Sequence, residues 1–336
     1  MKKHFFLFVL FSSFFISLTY AKGFFQIKRT LEIELEVNFS ELLLGKKFHY
    51  WKRGHNKYIK GKLFLKKRKN PLNIHVQNGG NLNFYDDLPP LNIKLPPNKI
   101  LRHDPFKGLK NLTLITHGKI NEGQFQKTLN HFISYKQFSV LSPFSYNVRP
   151  VQIKYIDSSG SLIPFYGWGF FVEPNNNILK RFPFKIIQKN SKLNKKYFSP
   201  QQMALLHVFN FFIQDSNRFV LNNKIPSHGK TDFFSFNYRE ILPIPYNFDQ
   251  SKIHWLSQQD PEEINSILES SFAKQTWLRI PGLKYQHIKR AFQMLKSKKN
   301  HFKNIYLNKN IPLKDHERKA YINYINLFFN FLKNKF

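Results

Sequence analysis

The residues best placed for chemistry lie at 244–249, where Ile244, Pro245, Tyr246 and Phe248 accompany Asn247 and Asp249. On an extended backbone alternate side chains point to one side, so Asn247 and Asp249 offer two oxygen donors that could face one divalent cation. A turn after a strand uses the same residue types, and both readings stand at this point. Other reactive constellations are missing. The chain contains no Cys, which rules out disulfides, thiolate catalysis, Cys-ligated zinc or iron–sulfur sites and a lipid anchor on an N-terminal Cys. Its 13 His lack the i, i+4 pair or His-x-Glu spacing that sets two ligands on one helical face, so no dedicated zinc site is expected. Neither Gly-x-Ser-x-Gly nor Gly-x-x-x-x-Gly-Lys occurs, which leaves hydrolase triads and phosphate-loop chemistry without a basis.

These residues belong to a chain of 336 residues with 53 Lys and Arg against 20 Asp and Glu, a net charge of +33. Lys2 and Lys3, the apolar stretch 5–18 and the exit Thr19-Tyr20-Ala21 predict a secretory signal over 1–21, cleaved near Ala21, with an uncleaved anchor as the alternative. Removing it takes two lysines and no acid, so about 315 residues carrying +31 are expected in the periplasm or outside the cell. Beyond residue 21 no run reaches the roughly 18 apolar residues of a membrane span. A surface this basic draws in polyanions such as lipopolysaccharide, anionic lipid or nucleic acid. A/T-rich coding would produce the same excess of Lys, Asn, Ile, Tyr and Phe. Residues 46–69 hold eleven Lys and Arg and no acid, interleaved with Phe48, Tyr50, Trp51, Tyr58 and Phe64. Cations beside stacking rings suit a single strand or a glycolipid, and a Lys-rich hairpin with its rings in the core has the same composition.

The elements that must position these groups change character along the chain. Residues 31–37 alternate Leu, Ile, Leu and Val with Glu, the clearest strand in the sequence. Further strands are predicted at 60–66, 73–77, 91–95, 112–116 and 148–156, with one helix over 124–140 packed on that sheet. Later, Ser199-Pro200-Gln201-Gln202 and Asp260-Pro261-Glu262-Glu263 are helix starts, and 286–296 and 313–332 have helical spacing. An α+β architecture follows, with a junction near Glu173-Pro174-Asn175 dividing a β-rich part, 22–173, from a mostly helical part, 174–336.

Several short motifs then appear in a recognisable order: Gly79-Gly80-Asn81, Leu88-Pro89-Pro90-Leu91, Phe106-Lys107-Gly108, 112–117, Ile133-Ser134-Tyr135-Lys136, Leu141-Ser142-Pro143, Val148-Arg149, Phe171-Val172-Glu173, 208–217 and 245–249. In that order and spacing the chain resembles exported bacterial proteins similar to the spore-coat CotH kinases, over most of its mature length. The resemblance implies a two-lobed protein-kinase-like fold, with a β-rich N-terminal lobe carrying one packed helix and a mostly helical C-terminal lobe. Kinase-type transfer needs a Lys on the phosphates, a helix Glu that fixes it, a carboxylate that orients the acceptor and another on the metal. Carried over, the Lys position is Thr113, the helix Glu is His131, the acceptor Asp is Asn217, and the Asp pair of the metal loop is Asn247 and Asp249. Glu173 matches.

An amide in place of a carboxylate removes the proton acceptor and the charge that binds Mg²⁺, and loss of the Lys removes the opposing clamp. Asp215 lies two residues before Asn217 and could replace it after a small shift, whereas Lys110 would need a three-residue slip that reverses its face on a strand. The resemblance therefore implies a catalytically degraded member that acts as a binding or scaffold protein in the envelope and uses no cofactor. Its partner would be an anionic envelope component or a protein, with nucleic acid a lesser alternative. Two other readings stay open: an active secreted phosphotransferase using ATP and Mg²⁺, with Asp215 as base and Asn247 and Asp249 on the metal, and a basic polyanion-binding module.

Overall fold

The structure, a computed structural model, describes residues 23–27, 29–43, 57–66, 68–79, 88–96, 100, 104–116, 122–187, 197–215, 231–236, 240–274 and 283–335. The expected signal over 1–21, Asn217 and residues 46–56 of the basic stretch lie outside them.

The first part of the chain closes into a barrel. Strands β1 (Leu31–Val37), β2 (Ile59–Leu65), β3 (Leu72–Asn78), β4 (Leu91–Lys94) and β5 (Asn111–Thr116) are joined by β6 (Val148–Asp157) and β7 (Phe165–Val172) in the order β1-β2-β3-β4-β5-β7-β6. β1 pairs antiparallel with β2 and parallel with β6, from Leu31 opposite Val151 to Val37 opposite Asp157. Both its edges are thus bonded and the sheet has no free strand. The alternation in β1 explains its two faces. Ile33, Leu35 and Val37 are buried inside, each contributing about 1.5–3 kcal/mol by leaving water. Outside, Glu36 accepts from Lys62 at 2.7 Å, Glu32 pairs with Lys66 at 3.2 Å and Glu34 with Lys154 at 3.5 Å. Rings fill the two ends. Phe24, Phe106 and Phe171 cluster at one, with centroids 5.2–6.3 Å apart, and Phe39, Tyr155 and Phe165 at the other, 4.8–6.2 Å apart.

Between β5 and β6 runs α2 (Glu122–Leu141), which follows the short α1 (Phe39–Leu43). Because side chains alternate along β7, Phe171 enters the barrel while Trp168 and Phe170 face outward into a second, larger core shared with α2. Gly169 allows β5 and β7 to approach: a Cβ there would overlap the Ile115 carbonyl.

After β7 come α3 (Asn175–Arg181), a three-stranded antiparallel sheet in the order β10-β9-β8, and a set of helices. The strands are β8 (Phe184–Ile186), β9 (Thr231–Phe236) and β10 (Glu240–Pro245); the helices are α4 (Pro200–Ile213), α5 (Ile253–Ser257), α6 (Pro261–Lys274), α7 (Tyr285–Ser297), α8 (Lys299–Leu307) and α9 (Asp315–Lys333). α4 is buried along nearly its whole length, and Phe211 and Phe212 pack against Phe292, Phe302, Tyr324 and Phe328 from the surrounding helices. Among the described residues no helix is long and apolar enough to cross a membrane.

Two expectations are corrected here. The two-lobed kinase-like fold is not what forms: the β-rich part is a closed seven-stranded barrel of mixed sense, because β1 finds a second partner in β6. The chain remains α+β. The later half also contains the sheet β8–β10, whose apolar runs Phe233-Phe234 and 241–245 are buried on both faces: Phe234, Leu242 and Ile244 in the core shared with α4, Phe233 and Ile241 in a small cluster with Ile187 and Phe198. At the start of α4, Ser199 is the N-cap residue and Pro200 the first helical position, as expected, but no side-chain cap forms. Gln202 accepts instead from Ser142 Oγ at 3.2 Å and donates to the Pro243 carbonyl at 3.4 Å.

Two measurements test this packing. Gly169→Ala forces a backbone shift between β5 and β7 and should cost about 3 kcal/mol in urea unfolding. Burial lowers the His207 pKa to about 4, so the unfolded chain takes up the proton first as pH falls. Stability should be full above pH 6.5 and decline towards pH 4 by about 3 kcal/mol, a slope that His207→Asn removes.

Candidate functional site

Two of the segments singled out in the sequence adjoin here: the end of α4, followed by Asp215, and the turn after β10, which carries Asn247 and Asp249. α4 stops in a Schellman turn: Gln214 adopts φ 52°, its N–H donates to the Phe211 carbonyl at 3.2 Å, and the Asp215 N–H reaches Asn210 at 3.0 Å. Gly is the usual residue at such a position, and the Gln214 side chain compensates. Its Nε2 donates to Phe211 O and its Oε1 accepts from Ser271 Oγ, both at 2.8 Å. Asp215 follows, buried. The turn after β10 docks on this corner through Lys252 N–H to Ile213 O at 3.0 Å.

Within that turn Asn247 is also left-handed, at φ 56°, and its N–H donates to the Tyr135 hydroxyl at 2.9 Å. β10 ends at Pro245. The extended backbone from which a shared cation was argued for Asn247 and Asp249 is therefore absent. Phe248 is fully buried between them, and His131 on α2 lies against the same ring at 6.5 Å, stacked on Tyr135 at 5.2 Å and edge-on to Phe170 at 5.2 Å. His131 and the Asn247 backbone thus meet at one aromatic cluster, with Asp249 the residue after its Phe248.

Thr113 and Glu173 sit elsewhere. Thr113 lies on the outer face of β5 opposite Val172, its hydroxyl donating to Asn92 Oδ1 at 3.1 Å. Glu173 is buried and accepts from the Asn147 N–H and Nδ2, both at 3.0 Å, and from Arg181 Nη2 at 2.7 Å. Burial raises its pKa, with Arg181 and the Asn147 backbone pulling the other way. This carboxylate ties α3 to the barrel. Nearby, and not anticipated from the sequence, the Tyr146 hydroxyl donates to Asp232 Oδ2 at 2.6 Å and lies 2.8 Å from Asn175 Oδ1; burial, then the Asp232 charge, hold the phenol well above its ordinary value.

The donor set does not fit a triphosphate with its metal. The position of the clamping Lys carries a hydroxyl already bonded to Asn92, and the helix Glu is replaced by an imidazole packed among rings. Among the described residues no three His, Asp or Glu are grouped to hold a metal ion.

An open cleft of about 390 Å³ lies beside the corner, between α5 and α6, lined among others by Gln214, Lys252, Trp255, Ser266, Ser270 and Ser271. Ser266 and Ser270 share one α6 face by their i, i+4 spacing, and Trp255 is 49% exposed. Hydroxyls, an amide, an ammonium and an indole can hold a polar ligand, and among the described residues the lining includes no carboxylate.

The basic stretch and its counterpart differ in surroundings. Lys62 and Lys66 face the Glu row of β1, Arg68 pairs with Asp104, and Lys94 lies 3.8 Å over the Tyr58 ring. In the described part of 46–69, which contains β2, Lys62, Lys66 and Arg68 are matched by carboxylates while Lys57, Lys60 and Lys69 form no ion pair with a described residue. By contrast residues 270–314 contain eleven Lys and Arg and no acid, a run legible in the sequence but passed over. α7 and α8 lie within it. Lys289, Arg290 and Lys296 are exposed, and neither they nor Lys298, Lys299 and Lys303 are in an ion pair with a described residue. Burial, then repulsion from Lys303 one turn away, lowers the Lys299 pKa. No family model and no curated protein matches the chain.

Proposed function

We propose that this is an exported binding protein that holds an anionic component of the cell envelope and transfers no phosphate. The observation that carries the reading is the pair α7–α8, which contains no acid, where Lys303 repels Lys299 one turn away and none of Lys289, Arg290, Lys296, Lys298, Lys299 and Lys303 is in an ion pair with a described residue. Like charges at i, i+4 cost a few tenths of a kcal/mol each in an isolated helix, a cost that a polyanion bound across them would offset. The second half of the reading is supported by the scatter of the candidate residues: Thr113 faces out from β5 and is bonded to Asn92, Glu173 is bonded to Asn147 and Arg181, and His131 is packed among rings.

Heparin retention tests the first half. Neutralising Lys289, Arg290, Lys296 and Lys303 to Gln together should weaken binding about tenfold or more at moderate salt and flatten its salt dependence. Neutralising Lys62 and Lys66, which already face Glu36 and Glu32, should change it far less. Equal elution of the parent and the quadruple variant would overturn the assignment. For the second half, millimolar ATP with Mg²⁺ should leave the melting temperature within about 1 °C, because a ligand that binds the native state must raise it. A rise of several degrees that Asp249→Ala abolishes would reinstate nucleotide use.

A further inference from the structure

The hairpin between β6 and β7 presents apolar side chains to water on a loop whose N–H groups from 158 to 162 have partners within the protein. Ile163 is 87% exposed, Tyr166 77% and Leu162 44%, and the segment 158–166 carries no charge. An apolar tip of this kind is uncommon on a surface with no partner.

The buried carboxylate of Asp157 organises the loop. Its Oδ2 accepts from the Ser159 hydroxyl at 2.5 Å, the Ser161 N–H at 2.9 Å and the Leu162 N–H at 3.2 Å, while Oδ1 accepts from the Phe39 N–H at 3.0 Å and the Ser159 N–H at 3.4 Å. The Ser158 N–H donates to Val37 O and the Gly160 N–H to Asp157 O, each at 3.1 Å, with Gly160 at φ 73°. Pro164 has no N–H. Backbone donors from 158 to 162 are therefore satisfied inside the protein, so these five are not stranded when the tip leaves water for the acyl boundary. A protein partner adding a strand would want the opposite, free donors along an edge.

We infer that the 158–166 hairpin is a membrane wedge: Leu162 and Ile163 enter the acyl boundary of an anionic bilayer and Tyr166 lies at headgroup level. The inference rests on the anionic-surface reading for its electrostatic half and adds an apolar contact that charge alone does not supply.

The test is co-sedimentation of the mature protein with vesicles of phosphatidylethanolamine and phosphatidylglycerol, compared with phosphatidylcholine alone. Ile163→Glu alters a side chain almost wholly in water, so its melting temperature and heparin retention should match the parent, while its partition onto anionic vesicles should fall about tenfold or more. Ile163→Trp should retain binding and shift its emission to the blue when vesicles are added. Parent-like binding by Ile163→Glu would overturn the wedge and leave a purely electrostatic contact. An Ile163→Trp emission unchanged by vesicles would also overturn it, as would capture of a protein through the tip without any vesicle binding. Loss of heparin retention in the α7–α8 variant is a separate readout, so the two readings can fail independently.

Discussion

The parallel pairing of β1 with β6 is the constraint on which the rest of the molecule depends. It joins Leu31 to Val151 and Val37 to Asp157, residues 120 positions apart. Once made, it leaves no edge on the seven-stranded sheet and encloses a core that aromatic rings complete at both ends. The outer face of β6 and β7 is then the surface left for α2, and α2 in turn sets His131 and Tyr135 against Phe170 and Phe248. Closure also brings the Phe39 amide to Asp157, so the hairpin tip is anchored by the strand that seals the barrel.

Charge is distributed by the same logic. A single row of glutamates on β1 faces lysines from both neighbouring strands, so the barrel wall is close to neutral locally despite the cationic chain. Exposed pairs of this kind add little stability, about 0–1 kcal/mol each, but they remove a field that would otherwise act on partners. The helices α7 and α8 have no such row. Screening limits each charge to roughly 8–10 Å at ordinary salt, so what an anion meets is the local balance, and on α7 and α8 that balance is positive.

Three carboxylates that are buried or half-buried serve architecture. Asp157 organises a loop, Glu173 holds Arg181 across the barrel boundary, and Asp232 takes the Tyr146 hydroxyl. A buried carboxylate surrounded by donors is costly to remove and poorly placed to accept a substrate proton. Hydroxyls, an amide, a lysine and a tryptophan line the open cleft between α5 and α6 instead, a set suited to holding a ligand.

Local elements were legible because they depend on a few neighbouring residues. Alternation at 31–37, the spacing of Tyr321, Tyr324, Ile325, Phe328 and Leu332, and Pro200 and Pro261 at helix starts all describe elements that form where expected. The motif order suggested a kinase-like arrangement because strands, a helix and a turn at 245–249 do recur in that order; order carries no information about which strand edges meet. Whether the sheet opens or closes is decided by the burial and hydrogen-bond satisfaction of segments more than a hundred residues apart. The left-handed turn at Asn247 likewise removes the extended geometry assumed for its neighbours, and only docking against Tyr135 makes that visible. By itself the sequence determined the elements, the charge excess and the residue types available for chemistry. The tertiary structure alone decided which charges are matched, which carboxylates are buried and which apolar side chains remain in water, because each is a property of through-space neighbours.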